Sequence, residues 1–297
     1  MGASVRTSAN RWLGIGLMAL GVGMAVNSLL GPLVTDVIRY HVTTLLLNQT
    51  IGLDAVSLAV VAPLSVVAGV LLFRAHPAAP MLALAPAIYA AYMFPQYILG
   101  PDYLRLEGNN ELLFPLHLAL FSLGGAVVLL AWRAVDAERL PPISRRKGRL
   151  VGGVLLALAA FLVLRWLPAL LDAVGDEASG ADYLEGPTFF WTIALLDLGV
   201  ALPTTLATGV GLLREAGWAR KAMYAVVAWF ALVGAAVAGM TIAMYVNDDP
   251  NSSGTGVVAF TLYALVFASF AAYLYRPLFR ALPNARVRSP AIRLSRG

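Results

Sequence analysis

Eight long apolar stretches alternate with short polar connections along this 297-residue chain. Each stretch approaches or exceeds the roughly 20 residues that an apolar helix needs to cross a bilayer. The pattern therefore predicts an all-α, polytopic bundle of eight transmembrane helices. The predicted spans cover residues 12–34, 53–73, 78–99, 112–134, 150–171, 188–213, 218–246 and 255–278.

The basic residues between these spans fall almost entirely on one side of the predicted membrane. Of the 21 Lys and Arg residues, only Arg39 and Arg105 lie in loops of the opposite side, and Arg165 lies within a span. Because Lys and Arg concentrate in cytoplasmic loops, we expect both termini in the cytoplasm. The acidic residues show the opposite bias, and Asp54 is predicted at the outer boundary of its span.

The composition leaves no room for a separate soluble domain, since 60% of the residues are hydrophobic and the mean hydropathy is +0.77. The net charge of +5 belongs to the flanks of the spans. That pattern predicts a lipid bilayer as the partner and argues against nucleic acid. The excess of Arg over Lys is typical of GC-rich prokaryotes, so we expect a prokaryotic plasma (inner) membrane. The sequence does not indicate an oligomeric state.

Cofactor and metal sites are not predicted. The chain has no cysteine, which excludes thiolate ligands and nucleophiles. His41, His76 and His117 are predicted outside, inside and within the membrane, so they cannot together ligate zinc or haem.

The two halves of the chain resemble each other. Residues 11–27 align without gaps on residues 149–165, with Arg and Gly at matching positions. In the following spans, a mid-span proline, a glycine and a terminal arginine recur at identical spacing. These two sets are Pro63, Gly69 and Arg74, and Pro203, Gly209 and Arg214.

This recurrence predicts two parallel four-helix repeats. They cover residues 1–140 and 150–280, joined by a basic cytoplasmic linker at 141–149 and followed by a basic cytoplasmic tail at 281–297. An even number of spans gives both repeats the same orientation, so the expected symmetry axis stands along the membrane normal, as in parallel-repeat transporters. The alternative is a chance alignment of apolar segments.

Pro63 and Pro203 are predicted near mid-membrane, where each removes a helix hydrogen bond and kinks its helix. Paired kinks at equivalent positions can open a polar cavity between the halves. Kinked helices that pack without any site are equally common.

Arg165 and Asp197 are the charged residues that the predicted spans place well inside the membrane. At the centre of a span each would cost about 2.5–3.5 kcal/mol, so we predict that they pair. The pair is either a structural ion pair or part of a site for a substrate, an ion or a proton.

Other polar side chains concentrate in the outer halves of their spans and could surround one outward-opening pocket. Tyrosines at this depth also suit the interfacial aromatic belt, and Thr hydroxyls can bond their own helix. A histidine within a membrane span is more often held by hydrogen bonds to other residues than used as a metal ligand. The candidate pocket residues are Asn27, Tyr89, Tyr92, Gln96, Asn110, His117, Thr204, Thr241 and Tyr245.

These features favour a transporter, or a membrane protein that binds a small molecule or ion, with a polar site in the outer half. A membrane-embedded enzyme acting on a lipid or quinone is the first alternative, and an assembly or sensory subunit is the second. No catalytic motif is found, so catalytic residues are not predicted and an enzyme is less favoured.

Overall fold

The computed structural model describes residues 3–280, and its regular elements in that range are all helices. Eight of them are long and apolar enough to cross a membrane, which confirms the predicted all-α bundle of a multi-pass membrane protein. The tail predicted at 281–297 lies outside the described residues. The helices, numbered in chain order, are α1 (Ala3–Leu30), α2 (Thr44–Phe73), α3 (Ala79–Leu99), α4 (Asn110–Ala134), α5 (Arg145–Ala173), α6 (Pro187–Leu213), α7 (Gly217–Val246) and α8 (Gly254–Arg280).

Several helix ends differ from the predicted spans. α1 begins at Ala3 rather than at 12, and α5 begins at Arg145 rather than at 150. α1 ends at Leu30 rather than at 34, because Pro32 has no N–H and disfavours helical backbone before it. α2 begins at Thr44 rather than at 53. The polar residues in its first turns are helical because they have partners, such as Asn48, whose amide donates to Asp249 at 2.9 Å.

Helices α3 and α7 lie at the centre of the bundle and are its most buried spans. α1 packs on α2, and α5 packs on α6. α7 also contacts α2 and α3 of the first half, so the halves share one core. We call the side of the loops after α1, α3, α5 and α7 the outer side.

The middle of α2 and the middle of α6 each contain a π-helical turn. These turns, Ser57–Val61 and Asp197–Ala201, stand just before Pro63 and Pro203. A π-helical turn inserts one extra residue, so the hydrogen bonds of the helix change register next to the proline. Both prolines face outward from the bundle rather than into it.

The turns that end α2 and α6 also share one geometry. Ala75 and Glu215 have positive φ angles of 53° and 58°. Four backbone hydrogen bonds recur at equivalent positions in the two turns. The last of them is donated by Ala79 in the first turn and by Ala219 in the second.

Glycine contacts between neighbouring helices recur in both halves. A Cβ atom added to Gly69 would lie 3.1 Å from the carbonyl oxygen of Gly14. A Cβ atom added to Gly209 would lie 3.1 Å from the carbonyl oxygen of Gly152. These are residues that the sequence alignment pairs, although the rotation that relates the halves stays a prediction.

One helix contact breaks the similarity of the halves. α1 packs against α4, whereas the corresponding helices α5 and α8 hardly touch. In α1, Gly23 allows the close approach, since a Cβ there would lie 2.5 Å from Leu120. The sequence alignment places Phe161 at the corresponding position of α5, and this bulky residue lines the space between α5 and α8.

Candidate functional site

A cavity of about 540 Å³ occupies the outer half of the bundle. Its walls come from α3, α5, α6, α7 and α8, with the outer end of α2 closing one side. Most of the lining is aliphatic or aromatic. It reaches from Asp182, in the short outer helix Ala181–Glu185, to Asp197 in the membrane interior.

Asp197 lies at the first residue of the π-helical turn in α6 and forms the polar centre of this cavity. Its carboxylate accepts a short hydrogen bond from the hydroxyl of Tyr92. It also accepts one from the indole N–H of Trp166 at 2.8 Å, and Nη1 of Arg165 lies at 3.6 Å. Residues of α3 and α5 therefore hold the buried carboxylate of α6, and the cation beside it offsets the charge.

Two residues that line the cavity carry hydrogen-bond donors with unused capacity, and of the two the Arg165 side chain is the exposed one. The Arg165 side chain is 49% exposed, and within residues 3–280 its contacts are Asp197 and the ring of Trp166. The indole Nε1 of Trp229 is buried and has no hydrogen-bond partner in this range. A guanidinium carries five N–H groups, so Arg165 can bind Asp197 and another acceptor at once.

The structure brings together some of the predicted pocket residues. Tyr92, Gln96 and Thr241 line the cavity with Arg165 and Asp197. Gln96 and Thr241 also donate to carbonyl groups of their own helices. Sequence reasoning did not single out Trp166 and Trp229, because a tryptophan in a span is ordinarily read as packing.

Thr204 and Tyr245 do not line this cavity. α-Helical spacing would put Thr204 on the same face as Asp197, but the intervening π-helical turn adds a residue and rotates that face. Thr204 is exposed to the lipid side, and Thr205 is buried in its place. Tyr245 is 53% exposed near the outer end of α7, where the aromatic belt is the better explanation.

Asn27, Tyr89 and His117 are buried in a different polar cluster and do not line the cavity. The ring of His117 contacts the amide oxygen of Asn27 at 2.9 Å, and the hydroxyl of Tyr89 lies 3.0 Å from that of Ser57. These residues were grouped with the pocket by depth alone. Depth does not tell which side of a helix a residue faces.

The centre of this second cluster is Asp54, which the sequence prediction wrongly placed at the membrane boundary. Asp54 is fully buried because α2 begins at Thr44 and places it inside the span. Its Oδ1 accepts from Tyr97 at 2.9 Å, from Ser28 at 3.3 Å and from Asn27 at 3.5 Å. The apolar run that follows Thr43 in the sequence indicates that α2 begins there, before residue 53.

Asn110 belongs to a hydrogen-bonded cap on the outer side and also lies outside the cavity. It joins the loop before α4 to the backbone of His41 and Tyr97. His41 Nδ1 lies 2.5 Å from the carbonyl oxygen of Leu106, and Nε2 lies 2.8 Å from the Glu111 carboxylate. These contacts fix the two outer loops of the first half over the Asp54 cluster.

Among the described residues, no group of three or more His, Asp or Glu side chains is placed to hold a metal ion. No family model, curated protein or solved structure matches this chain.

Proposed function

We propose that this chain is a transporter, or a membrane protein that binds a small molecule or ion, and that its ligand occupies the outer-half cavity. The observation that carries the proposal is the Asp197 and Arg165 pair at the inner end of a cavity of about 540 Å³. Ligand sites typically have such volumes, with apolar walls and a few polar groups that fix orientation. Intramembrane charges are rarely retained without a function.

The lining favours a ligand with an apolar body and a hydrogen-bond acceptor or anionic group. Phe190 and Phe260 are among the apolar side chains of the walls. The Arg165 guanidinium, which is exposed and has spare donors, would bind the polar end. Asp197 would then orient Arg165 rather than contact the ligand's anionic group, since like charges repel.

Transport is favoured over simple binding by the features that recur in both halves. We interpret the paired π-helical turns, the paired glycine contacts and the identical turns as two parallel four-helix repeats. Parallel-repeat transporters place their sites between the repeats and work by moving one repeat against the other. The cavity has this location, since α3 belongs to one half and α5 to α8 belong to the other. We place the protein in a prokaryotic inner membrane with both termini in the cytoplasm.

The gap between α5 and α8 favours a second candidate function, an enzyme that acts on a lipid or quinone. A substrate dissolved in the outer leaflet could enter the cavity sideways through this gap, beside Phe161 and Phe260. Tyr92 and Asp197 would then be the groups available for proton transfer. Conversion of an added lipid or quinone by purified protein would distinguish this candidate from transport.

The test is ligand-dependent thermal stabilisation of the purified full-length protein by fatty acids, phospholipids, quinones and organic anions. A ligand present at roughly 100 times its Kd should stabilise the wild type by about 2.7 kcal/mol. The Arg165→Gln/Asp197→Asn double variant should fold and insert but lose this stabilisation. The stabilising compound should then be taken up by vesicles that contain the wild type.

The matched control is Arg145→Gln/Glu215→Gln, which neutralises an exposed ion pair on the inner side. This variant should keep the full ligand response. If the Arg165/Asp197 double variant also keeps it, the buried pair is structural and the proposed site is wrong.

A further inference from the structure

Asp54 differs from every other buried acid of the described chain in its surroundings. It is fully buried, and its Oδ2 has no hydrogen-bond partner, while Oδ1 accepts from three neutral donors. Asp197, in contrast, has Arg165 beside it. Among the side chains that the structure describes, no Lys, Arg or His lies within ion-pair distance of Asp54.

The backbone next to Oδ2 also disfavours a negative charge. Oδ2 lies against Gly31 at the C-terminal end of α1, where a Cβ atom on Gly31 would be 2.8 Å away. A helix C-terminus carries partial negative charge on its unpaired carbonyls. The carbonyl of Ser28 has no donor in the helix, because the residue four positions later is Pro32. A second negative charge here would be buried without compensation, which is strongly unfavourable.

We propose that Asp54 is a proton-binding site: its carboxyl group is protonated in the resting protein and exchanges that proton with the ligand cavity by way of Tyr97. Protonation removes the buried negative charge and occupies almost no space, and the resulting O–H can donate to the carbonyl groups at the C-terminal end of α1. For release, the Tyr97 hydroxyl accepts the carboxyl proton and passes its own proton to a water molecule, so the tyrosine stays neutral. The carboxylate that remains keeps the donors Tyr97, Ser28 and Asn27 on Oδ1.

Tyr97 connects Asp54 to the cavity through a second, smaller space. This space has a volume of about 30 Å³ and is lined by Thr50, Leu53 and Tyr97. It shares Gln49 and Gln96 with the large cavity, so the two are neighbours. A volume of this size holds a water molecule when polar groups are present. Tyr97 therefore donates to Asp54 and also lines this water-sized space.

The titratable groups that face Asp54 from the surrounding elements are all neutral donors or acceptors. Tyr40 comes from the loop before α2, and Tyr89 and Tyr97 come from α3. His117 of α4 reaches the cluster through Asn27. None of them offers a fixed positive charge, so the proton itself is the counter-charge. The inference goes beyond the proposed function and does not depend on which ligand the cavity binds.

The first experiment is infrared spectroscopy of the full-length protein at neutral pH in vesicles of ether-linked lipids, which contain no ester carbonyl group. A protonated carboxylic acid has a C=O stretching band that carboxylates lack, and surface acids are ionised at this pH. We expect one such band in the wild type, its loss in Asp54→Asn and its retention in Asp197→Asn. Absence of the band in the wild type, or its persistence in Asp54→Asn, would overturn the proposal.

The second experiment tests the connection through Tyr97 and needs no Asp54 variant. Transfer of the vesicles into D₂O shifts the carboxyl band as its proton exchanges. Tyr97→Phe should move the band, because a donor to Oδ1 is lost, and should slow the exchange several-fold. The control Ser28→Ala also removes a donor to Oδ1 but does not line the small space, so it should move the band without slowing exchange. Equal exchange rates in the two variants would refute the route through Tyr97.

Discussion

At the scale of single residues, the two members of the cavity ion pair are not equivalent. Asp197 is buried and depends on its donors, whereas Arg165 is half exposed to the cavity. We expect Arg165→Gln to lower the free energy of unfolding by about 1–3 kcal/mol, because a buried carboxylate loses a charged partner. Asp197→Asn should cost less, since water in the cavity can solvate the remaining guanidinium. Thermal unfolding of both single variants and the double variant measures the difference, and a larger loss in Asp197→Asn would contradict it.

His41 makes the stability of the outer cap depend on pH. Burial alone would lower the pKa of His41, but the Leu106 carbonyl, the Glu111 carboxylate and the charge of Asp102 together raise it above its ordinary value of 6.5. The protonated form is therefore favoured in the folded state. Its stabilisation is fully present below pH 6.5 and is lost as the pH rises through the folded pKa.

The expected result is a melting temperature that falls over this pH range in the wild type and falls less in His41→Gln. His76→Gln, which changes a histidine on the inner side, is the control and should follow the wild type. Parallel curves for the wild type and His41→Gln would show that the cap does not carry the pH dependence.

The sequence predicts single-residue contacts where the energetic cost of an unpaired charge decides them. It does not predict them where they depend on which side of a helix a residue faces. The pairing of Arg165 and Asp197 follows from the cost of an unpaired charge in the membrane, whatever the packing. The facing of Thr204 required knowledge of a π-helical turn, which no spacing in the sequence reveals. The position of Asp54 is mispredicted because the polar residues near the start of α2 have the composition of a loop. Their hydrogen-bond partners lie far away in the sequence, in the loop before α8.

At the scale of helices, hydropathy predicted all eight elements, and glycine determines how closely several of them pack. The tightest contact is between α2 and α7, where a Cβ atom on Gly52 would lie 2.2 Å from the carbonyl oxygen of Gly239. Gly52→Ala must push the two backbones apart, so we expect a loss of about 1–3 kcal/mol in unfolding free energy. The control is Gly153→Ala in α5, where a Cβ atom meets nothing within 4 Å. It should be neutral or stabilise by about 0.5–1 kcal/mol, because alanine favours helix. Equal melting temperatures for the two variants would contradict this account.

At the scale of the whole molecule, the cavity lies where the helix contacts of the two halves of the chain differ. The first half is closed by the contact of α1 with α4, and the second half is open because α5 and α8 stand apart. The recurrence of proline and glycine positions is readable from the sequence, and it predicts the two repeats. The open contact between α5 and α8 cannot be predicted from the sequence, because it depends on which bulky residue meets which neighbouring helix.

The orientation of the cavity can be tested with single cysteines, because the natural chain has none. Glu177→Cys lies in an exposed outer loop, and Arg146→Cys lies in the exposed first turn of α5. Basic residues concentrate on the side of Arg146, so a thiol reagent that cannot cross the membrane should label Glu177→Cys on intact cells. Arg146→Cys should be labelled only after the cells are made permeable. The reverse pattern would invert the assigned topology.

The same reagent tests whether the cavity opens outward. Thr241→Cys lines the cavity near the outer end of α7, whereas Thr208 is buried in the inner half of α6, away from it. We expect Thr241→Cys to react from outside and Thr208→Cys to remain unlabelled from either side, because only the first has a path to water. A compound that occupies the cavity should protect Thr241→Cys without protecting Glu177→Cys, since the outer loop is not covered by the ligand. Labelling of Thr241→Cys only after permeabilisation would mean that the cavity opens to the inner side, and the proposed direction of ligand entry would then be wrong.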